Sequence, residues 1–285
     1  MLWEIAIGDA YGAGFEFSSR EKIRQHNTLQ AFVGHDLGIP AGHYTDDTQM
    51  SIAVAEVLIK ETEWSSDTFA DAFVRCYKRD PRPGYAKGLQ ALLEECKDGT
   101  DLRFKIRPES RRNGAAMRSV PLGLIGDMER LKDTARAQAV ITHDTREGIL
   151  SAQVVAVLAH VLLHERAFLK DLPRLVEMHT GFVAQINWVN EVECDAMQTI
   201  HAVNTVCLRN RRMSDLLLDT VNFGGDVDSV AAIAMGLASL SGEYVHDIPR
   251  DLANNLESGA YGQTFLRELD ISLQNRFPAL LLGAQ

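Results

Sequence analysis

The sequence predicts an all-α protein, a compact single-domain helical bundle spanning residues 1–285. Three observations predict it. Apolar residues recur at three- and four-residue spacing through much of the chain, as in Leu150, Val154, Val157, Leu158 and Val161. No segment alternates apolar and polar residues as a half-buried strand would. No repeat or linker-like tract divides the 285 residues, which suffice to enclose a substantial core.

The N-terminal stretch Ile5–Gly14 is small and glycine-rich, and reads as a loop. Gly8, Ala10, Gly12 and Gly14 permit close approach of a ligand or another backbone. Its superficial G-x-G pattern lacks a preceding strand and a suitably spaced acidic partner, so a dinucleotide-binding turn is set aside. Residues 18–44 are polar and punctuated by Gly34, Gly38, Pro40 and Gly42, which suggests a long binding loop. A helix then begins at Thr45-Asp46-Asp47-Thr48 and continues through Met50, Ala53, Val54, Val57 and Leu58. Free N–H groups and the helix dipole favour negative charge in that first turn. Ser66 can cap the next helix, with Phe69, Phe73, Cys76 and Tyr77 inward and Pro81 and Pro83 ending it. Leu89, Leu92, Leu93 and Cys96 define another, with Gly99 just past its end. After the central helix at Leu150–Val161, apolar sets run through Leu172, Leu175 and Val176, through Val192, Ala196, Ile200 and Val203, and through Leu216 and Leu217. Residues from Ser229 to Leu240 are apolar nearly all round, the pattern of a helix buried on every side.

With 46% hydrophobic and 24% charged residues the composition is that of an ordinary globular protein. A net charge of −10 argues against a broad nucleic-acid surface, although an anion can still bind locally through backbone N–H groups and a cation. Cys76, Cys96, Cys194 and Cys207 lack Cys-x-x-Cys spacing and fall in helical patterns, as buried free thiols do. Met1-Leu2-Trp3-Glu4 carries no basic n-region, and the apolar runs 154–163 and 230–240 are too short or interrupted to span a bilayer. The expectation is a cytoplasmic protein without a membrane segment. In the absence of heptads or a long exposed apolar stripe, it is expected to be a monomer.

Two stretches carry the chemistry. Asn222-Phe223-Gly224-Gly225-Asp226-Val227-Asp228-Ser229, like the earlier Thr45–Thr48 turn, sets carboxylates and a hydroxyl at the start of an apolar helix. Each alone is explained as a capped helix with an acidic first turn. Brought together, Asp46, Asp47, Asp226 and Asp228 with Thr45, Thr48 and Ser229 make a set of hard oxygen donors suited to magnesium or manganese. Four such carboxylates repel unless neutralised, and a pair of divalent ions about 3.5–4 Å apart would neutralise them. Gly224-Gly225 fits a tight turn beside the ions.

A third stretch, Arg112-Asn113-Gly114-Ala115-Ala116-Met117-Arg118, leaves backbone N–H groups accessible at a helix start, a setting for phosphate to which Arg118 can add a charged contact. A tight loop with solvated arginines is the alternative. His160 and His164 read as packing or surface histidines, Arg209–Arg212 as a solvated helix end, and Trp64 and Trp188 as packing residues.

Together these stretches resemble the ADP-ribosylglycohydrolase family. The matching motifs are Gly8-Asp9-Ala10-Tyr11-Gly12 with Glu16, Thr45-Asp46-Asp47-Thr48, Asn113–Arg118, Thr142-His143 and Gly224–Ser229, in family order. The resemblance implies an all-α fold with a dinuclear magnesium or manganese centre at a cleft mouth. It implies an activity that frees ADP-ribose from a modified protein or small-molecule conjugate by cleaving the bond at the anomeric carbon of the distal ribose. Thr45, Asp46, Asp47, Asp226, Asp228 and Ser229 would hold the metals. Asn113, Gly114, Met117, Arg118 and Gly224 would line the ADP-ribose cleft, with His143 towards the adenosine. Glu16 takes the position of a glutamate used in substrate gating or acid–base work. The base is Glu16 or one of the aspartates Asp46, Asp47 and Asp228, and the metals orient the ribose, activate water, or both. A catalytically silent ADP-ribose-binding or structural relative, or a dinuclear-metal hydrolase of another ADP-ribose conjugate, are the alternatives. Intact aspartates at all four ligand positions favour an enzyme. This chain departs from the family's pattern at Val227 and Ser229, where threonine is common. It also departs at Pro81–Ala86, where nitrogenase-type members tend to carry a catalytic aspartate and this run has none.

Overall fold

The computed structural model describes residues 1–36 and 38–279; Leu37 and the last six residues of the expected 1–285 domain lie outside the described residues. Among those described, the chain forms fifteen α-helices and no strand. In order they are α1 (Leu2–Ala13), α2 (Arg20–His26), α3 (Asp46–Lys60), α4 (Ser66–Arg79), α5 (Lys87–Glu95), α6 (Gly99–Lys105), α7 (Gly114–Met117) and α8 (Met128–Ala139). There follow α9 (Arg146–Leu163), α10 (Leu172–Thr180), α11 (Ala196–Arg209), α12 (Met213–Val221), α13 (Val227–Ala238), α14 (Arg250–Asn255) and α15 (Gln263–Arg276).

The all-α expectation holds, with local corrections. The glycine-rich N-terminus is a helix, not a loop, and nearly all of α1 is buried. Its small residues serve helix packing. A Cβ at Gly8 would collide with the Ala231 carbonyl, and one at Gly12 with Asp228 Cα. The two backbones therefore nest, and α1 and α13 form the most closely packed pair in the molecule. The polar stretch 18–44 is interrupted by α2, capped by Ser19. Ser65 rather than Ser66 caps α4, its hydroxyl accepting from the Thr68 N–H. Gly99 opens α6 instead of merely following α5, and Val192 precedes α11 rather than lying within it.

Helices α3 and α13 are buried along almost their whole length, as expected for the 229–240 run. Among the described helices only α9 is long and apolar enough to cross a membrane, but it packs inside the bundle with Val154–Leu163 buried. The cysteines are all free, yet Cys194 is only half-buried and lies in the loop before α11.

Several helix starts are held by side chains from elsewhere in the chain. Asp270 of α15 accepts from the Leu2 and Trp3 N–H groups of α1, at 2.9 and 3.2 Å. Asp71 takes the Gly99 N–H of α6, and Asp247 the Ser214 N–H of α12. Thr45 stands at the N-cap of α3 but its own side chain makes no cap bond; Asp9 of α1 does that work. Such cross-helix caps satisfy orphan backbone donors while fixing one helix against another.

Candidate active site

Helices α1, α3 and α13 bring their acidic residues to one place. The turn after α1 carries Glu16, and the Phe17 N–H donates to the Gly225 carbonyl at 2.9 Å, docking that turn against the entry to α13. Val192 pairs with the same entry: its N–H reaches Gly224 O at 3.0 Å and its carbonyl accepts from Asp226 N at 2.7 Å. Gly224 and Gly225 have φ of +73° and +84°, the left-handed turn glycine permits, and a Cβ at Gly225 would strike the Val192 carbonyl. Carboxylate oxygens of Glu16, Asp226 and Asp228 lie within 4.8 Å of one another. Glu16, expected only in gating or acid–base work, lies close enough to both aspartates to share a cation with them.

Asp46 and Asp47 face this group across a shared cavity of about 460 Å³. Burial and then the neighbouring Asp9 carboxylate push the Asp46 carboxyl well above its ordinary range, with Glu16 and Asp226 adding to the effect. Asp47 is raised by burial, then by Asp46, Asp9 and Asp226, with a Ser229 hydrogen bond opposing. Asp228 is raised by burial, Glu16, Asp226 and Asp47. Both helix starts line the same cavity, which is why their carboxylates influence one another. Buried carboxylates that repel one another would bind protons or cations. Asp47 Oδ1 is buried with no hydrogen-bond partner, an orphaned acceptor facing hard-cation chemistry. The donor set fits a metal ion.

Glu16 is also raised, by burial and Asp226, while the His35 imidazole opposes through a 2.8 Å contact from Nε2 to Oε2. Asn113 Nδ2 donates to Asp226 Oδ2 at 2.9 Å and Thr199 Oγ1 at 3.0 Å, so this residue orients a carboxylate as well as lining the cavity. Gly114 lies under the His143 ring, where a Cβ would sit 2.9 Å from Cε1. His143 accepts or donates at Nδ1 with Thr142 Oγ1, 2.6 Å away; burial, then Arg118, pushes its pKa down to about 3, so the ring is neutral. Met117, Asn113, Gly114, His143 and Ser229 all line the cavity.

Two expected substrate residues stand differently. Arg118 is wholly buried yet forms part of the cavity lining, and its Nη1 has no hydrogen-bond partner. Its guanidinium donates to the Gln138 side chain and carbonyl and to Thr142 Oγ1, and lies 4.5 Å from the Phe73 ring centroid. Burial lowers its pKa to about 9, and it braces the wall rather than reaching outward as a free arm. Gly224 lies outside the cavity lining, with the Arg20 guanidinium against it; its contribution is the turn, not a ligand contact. Thr45 likewise commits its hydroxyl hydrogen to Asp9, leaving only oxygen lone pairs to offer.

The segment Pro81–Ala86 crosses directly over α3. A Cβ at Gly84, whose φ is +109°, would collide with Asp46 Oδ1. Arg82 is buried, stacks 3.6 Å from the Tyr44 ring centroid, and pairs with Glu257 and Asp80. This run brings no carboxylate to the cavity; Gly84, Ala86 and Gly88 form its wall there. Apolar Leu89, Leu92 and Ile106 and basic Lys105 and Arg107, none of them assigned to the cleft from sequence, complete the lining with Arg112. Three isolated β-bridges stitch loops around the cleft, Glu109 with His143, Arg112 with Asp195 and Val192 with Gly225. Elsewhere, the His160 and His164 rings pack at a tilt of 32° with centroids 4.6 Å apart and bond to the Ile125 and Leu124 carbonyls, as packing residues.

A helical scaffold with clustered carboxylates lining a cavity of about 460 Å³ defines the class of protein. The chain belongs to the ADP-ribosylglycohydrolase family, whose model matches residues 1–279. It is 27% identical over 260 residues to ADP-ribosyl-[dinitrogen reductase] glycohydrolase of Rhodospirillum rubrum, covering 89% of this chain and 87% of that one. ADP-ribosylarginine hydrolase Tri1 of Serratia proteamaculans is 25% identical over 246 residues, 80% of this chain and 66% of that protein. ADP-ribosylhydrolase ARH3 of Homo sapiens is 29% identical over 184 residues, which span 58% of this chain and 51% of that relative. Among solved structures, a chain described as an ADP-ribosylglycohydrolase-related protein complex aligns with a TM-score of 0.75 at 23% identity. The alignment covers 98% of this chain and 96% of that one, and shows the shared fold.

Proposed function

We propose that this protein hydrolyses ADP-ribose conjugates, cleaving the bond at the anomeric carbon of the distal ribose in a reaction that requires divalent cations. The observation that carries this reading is that Glu16, Asp46, Asp47, Asp226 and Asp228 all line one cavity together with basic and apolar residues. Such a cavity suits a ligand with a diphosphate, an apolar base and a reacting ribose. Arg107 and Arg112 give an otherwise acidic protein a local attraction for the diphosphate, while Lys105 beside them is paired with Glu95 and Asp101. Asn113, Gly114, Met117 and the neutral His143 ring would seat the nucleotide.

Asp46, Asp47, Asp226 and Asp228, with Thr45 and Ser229, would hold two magnesium or manganese ions, which when bound supply Lewis acidity towards ribose hydroxyls and water. Breaking the anomeric bond develops positive charge on the ring, and the facing carboxylates stabilise it. Glu16, with its raised proton affinity and its contact to His35, is the base that accepts a proton from the attacking water. The acceptor is an ADP-ribosylated protein side chain or a small conjugate, and its leaving atom takes up the proton that Glu16 removes from the water, so that water adds across the broken bond.

Release of free ADP-ribose from defined ADP-ribosylated peptides tests this reading. The reaction is expected to stop with EDTA and resume with magnesium or manganese. Asp46→Asn and Asp226→Asn are expected to lower the rate by about 100-fold or more, since even partners one step removed from a metal matter about 10–100-fold. Full activity of either variant, or turnover undiminished by the chelator, would refute the assignment.

A further inference from the structure

Asp9 is wholly buried and is held by the neutral N–H and hydroxyl donors of Thr45 and Thr48, without which a carboxylate there would be costly. Thr45 N donates to Oδ2 at 2.9 Å and Oδ1 at 3.1 Å, and Thr45 Oγ1 donates to Oδ1 at 2.8 Å. Thr48 N and Oγ1 donate to Oδ2 at 2.9 and 2.6 Å. These donors flank Asp46 and Asp47 on both sides. One helical turn along α1, Gly12 receives the Asp228 backbone where no Cβ fits. Residues three apart share a helix face. The same face of α1 therefore grips the start of α3 and seats the start of α13.

From this geometry we propose that Asp9 is a positioning residue for cation binding. By gripping Thr45 and Thr48 it fixes the Asp46 and Asp47 carboxylates opposite Asp226 and Asp228. It also directs the Thr45 hydroxyl hydrogen away from the site, leaving the oxygen lone pairs for a metal. The inference rests on the cation-binding reading given above and adds a residue to it. A carboxamide at position 9 keeps the size of the side chain but loses one acceptor oxygen, so two of the donors must turn or go unpaired. The threonine hydroxyl and the acidic first turn would then have more than one arrangement.

Calorimetric titration of the folded protein with Mn²⁺, with circular dichroism and thermal melting run in parallel, tests the proposal without an activity assay. Asp9→Asn is expected to bind Mn²⁺ about 10–100-fold more weakly while retaining helix content. Thr48→Val, which removes one hydroxyl donor, is expected to weaken binding less, and Thr48→Ser to restore it. Unchanged Mn²⁺ affinity in a folded Asp9→Asn protein overturns the proposal; where that variant does not fold, unchanged affinity in Thr48→Val overturns it. Failure of the parent protein to bind Mn²⁺ at all, or undiminished binding by Asp46→Asn, would instead sink the cation reading, and this inference with it.

Discussion

At the scale of single residues, the site is built from groups whose ordinary chemistry has been displaced by burial. His143 is the clearest case. An imidazole in water titrates near pH 6.5, but burial and the adjacent Arg118 bring this one to about 3. The ring should therefore stay neutral through the physiological range. NMR of ring-labelled protein checks this: between pH 5 and 8 the His143 signals are expected to hold still while exposed histidines move. Asn113 illustrates a second displacement. It was legible from its motif as a cleft residue, but its bond to Asp226 crosses 113 positions and has no local signature. Arg118 was legible as a cleft arginine and does line the cavity, but its enclosure by an aromatic ring, a glutamine and a threonine was not legible.

At the scale of elements, two helix starts and one helix face organise the chemistry. The acidic first turns of α3 and α13 were readable because carboxylates at helix N-termini follow a local rule. What meets them was not readable, because caps supplied across the fold obey no spacing in sequence. Asp9 holding α3 and Asp270 holding α1 are both of this kind. The glycine-rich face of α1 was likewise ambiguous: small residues serve a ligand loop and a tight helix crossing equally well. The crossing is the answer here, and it makes a prediction. Gly12→Ala would push a methyl into the Asp228 backbone. It is expected to cost about 1–3 kcal/mol of stability by overpacking, measured by denaturant unfolding, and to weaken divalent-cation binding beyond that loss. Alanine is otherwise the better helix former, so a stabilised variant with intact cation binding would contradict the packing account.

At the scale of the whole molecule, the cluster trades stability for binding. The raised Asp46, Asp47 and Asp228 carboxyls bind protons more tightly in the folded than in the unfolded chain. Between the ordinary aspartate value of 3.8 and their raised folded values, the native state therefore holds more protons. Stability of the cation-free protein is expected to fall as pH rises through that window, the reverse of a salt-bridged aspartate. Divalent cations should remove the loss by neutralising the charges, adding about 2.7 kcal/mol when present at a hundred times their Kd. Thermal melting across pH, with and without manganese, measures both effects. A cation-free protein whose stability rises steadily with pH would contradict the description of the cluster.

The helical class, the chain-long reach of the family motifs and the two acidic turns could all be read from local patterns. The place of Leu89, Leu92, Lys105, Ile106 and Arg107 in the lining could not, since their inward direction depends on how α5 and α6 pack.

The central claim is that α3 and α13 together enclose a divalent-cation centre. Anomalous diffraction from crystals grown with manganese tests it most directly. The account predicts anomalous peaks coordinated by carboxylates of both Asp46–Asp47 and Asp226–Asp228. Manganese bound elsewhere, or by only one of the two pairs, would contradict it.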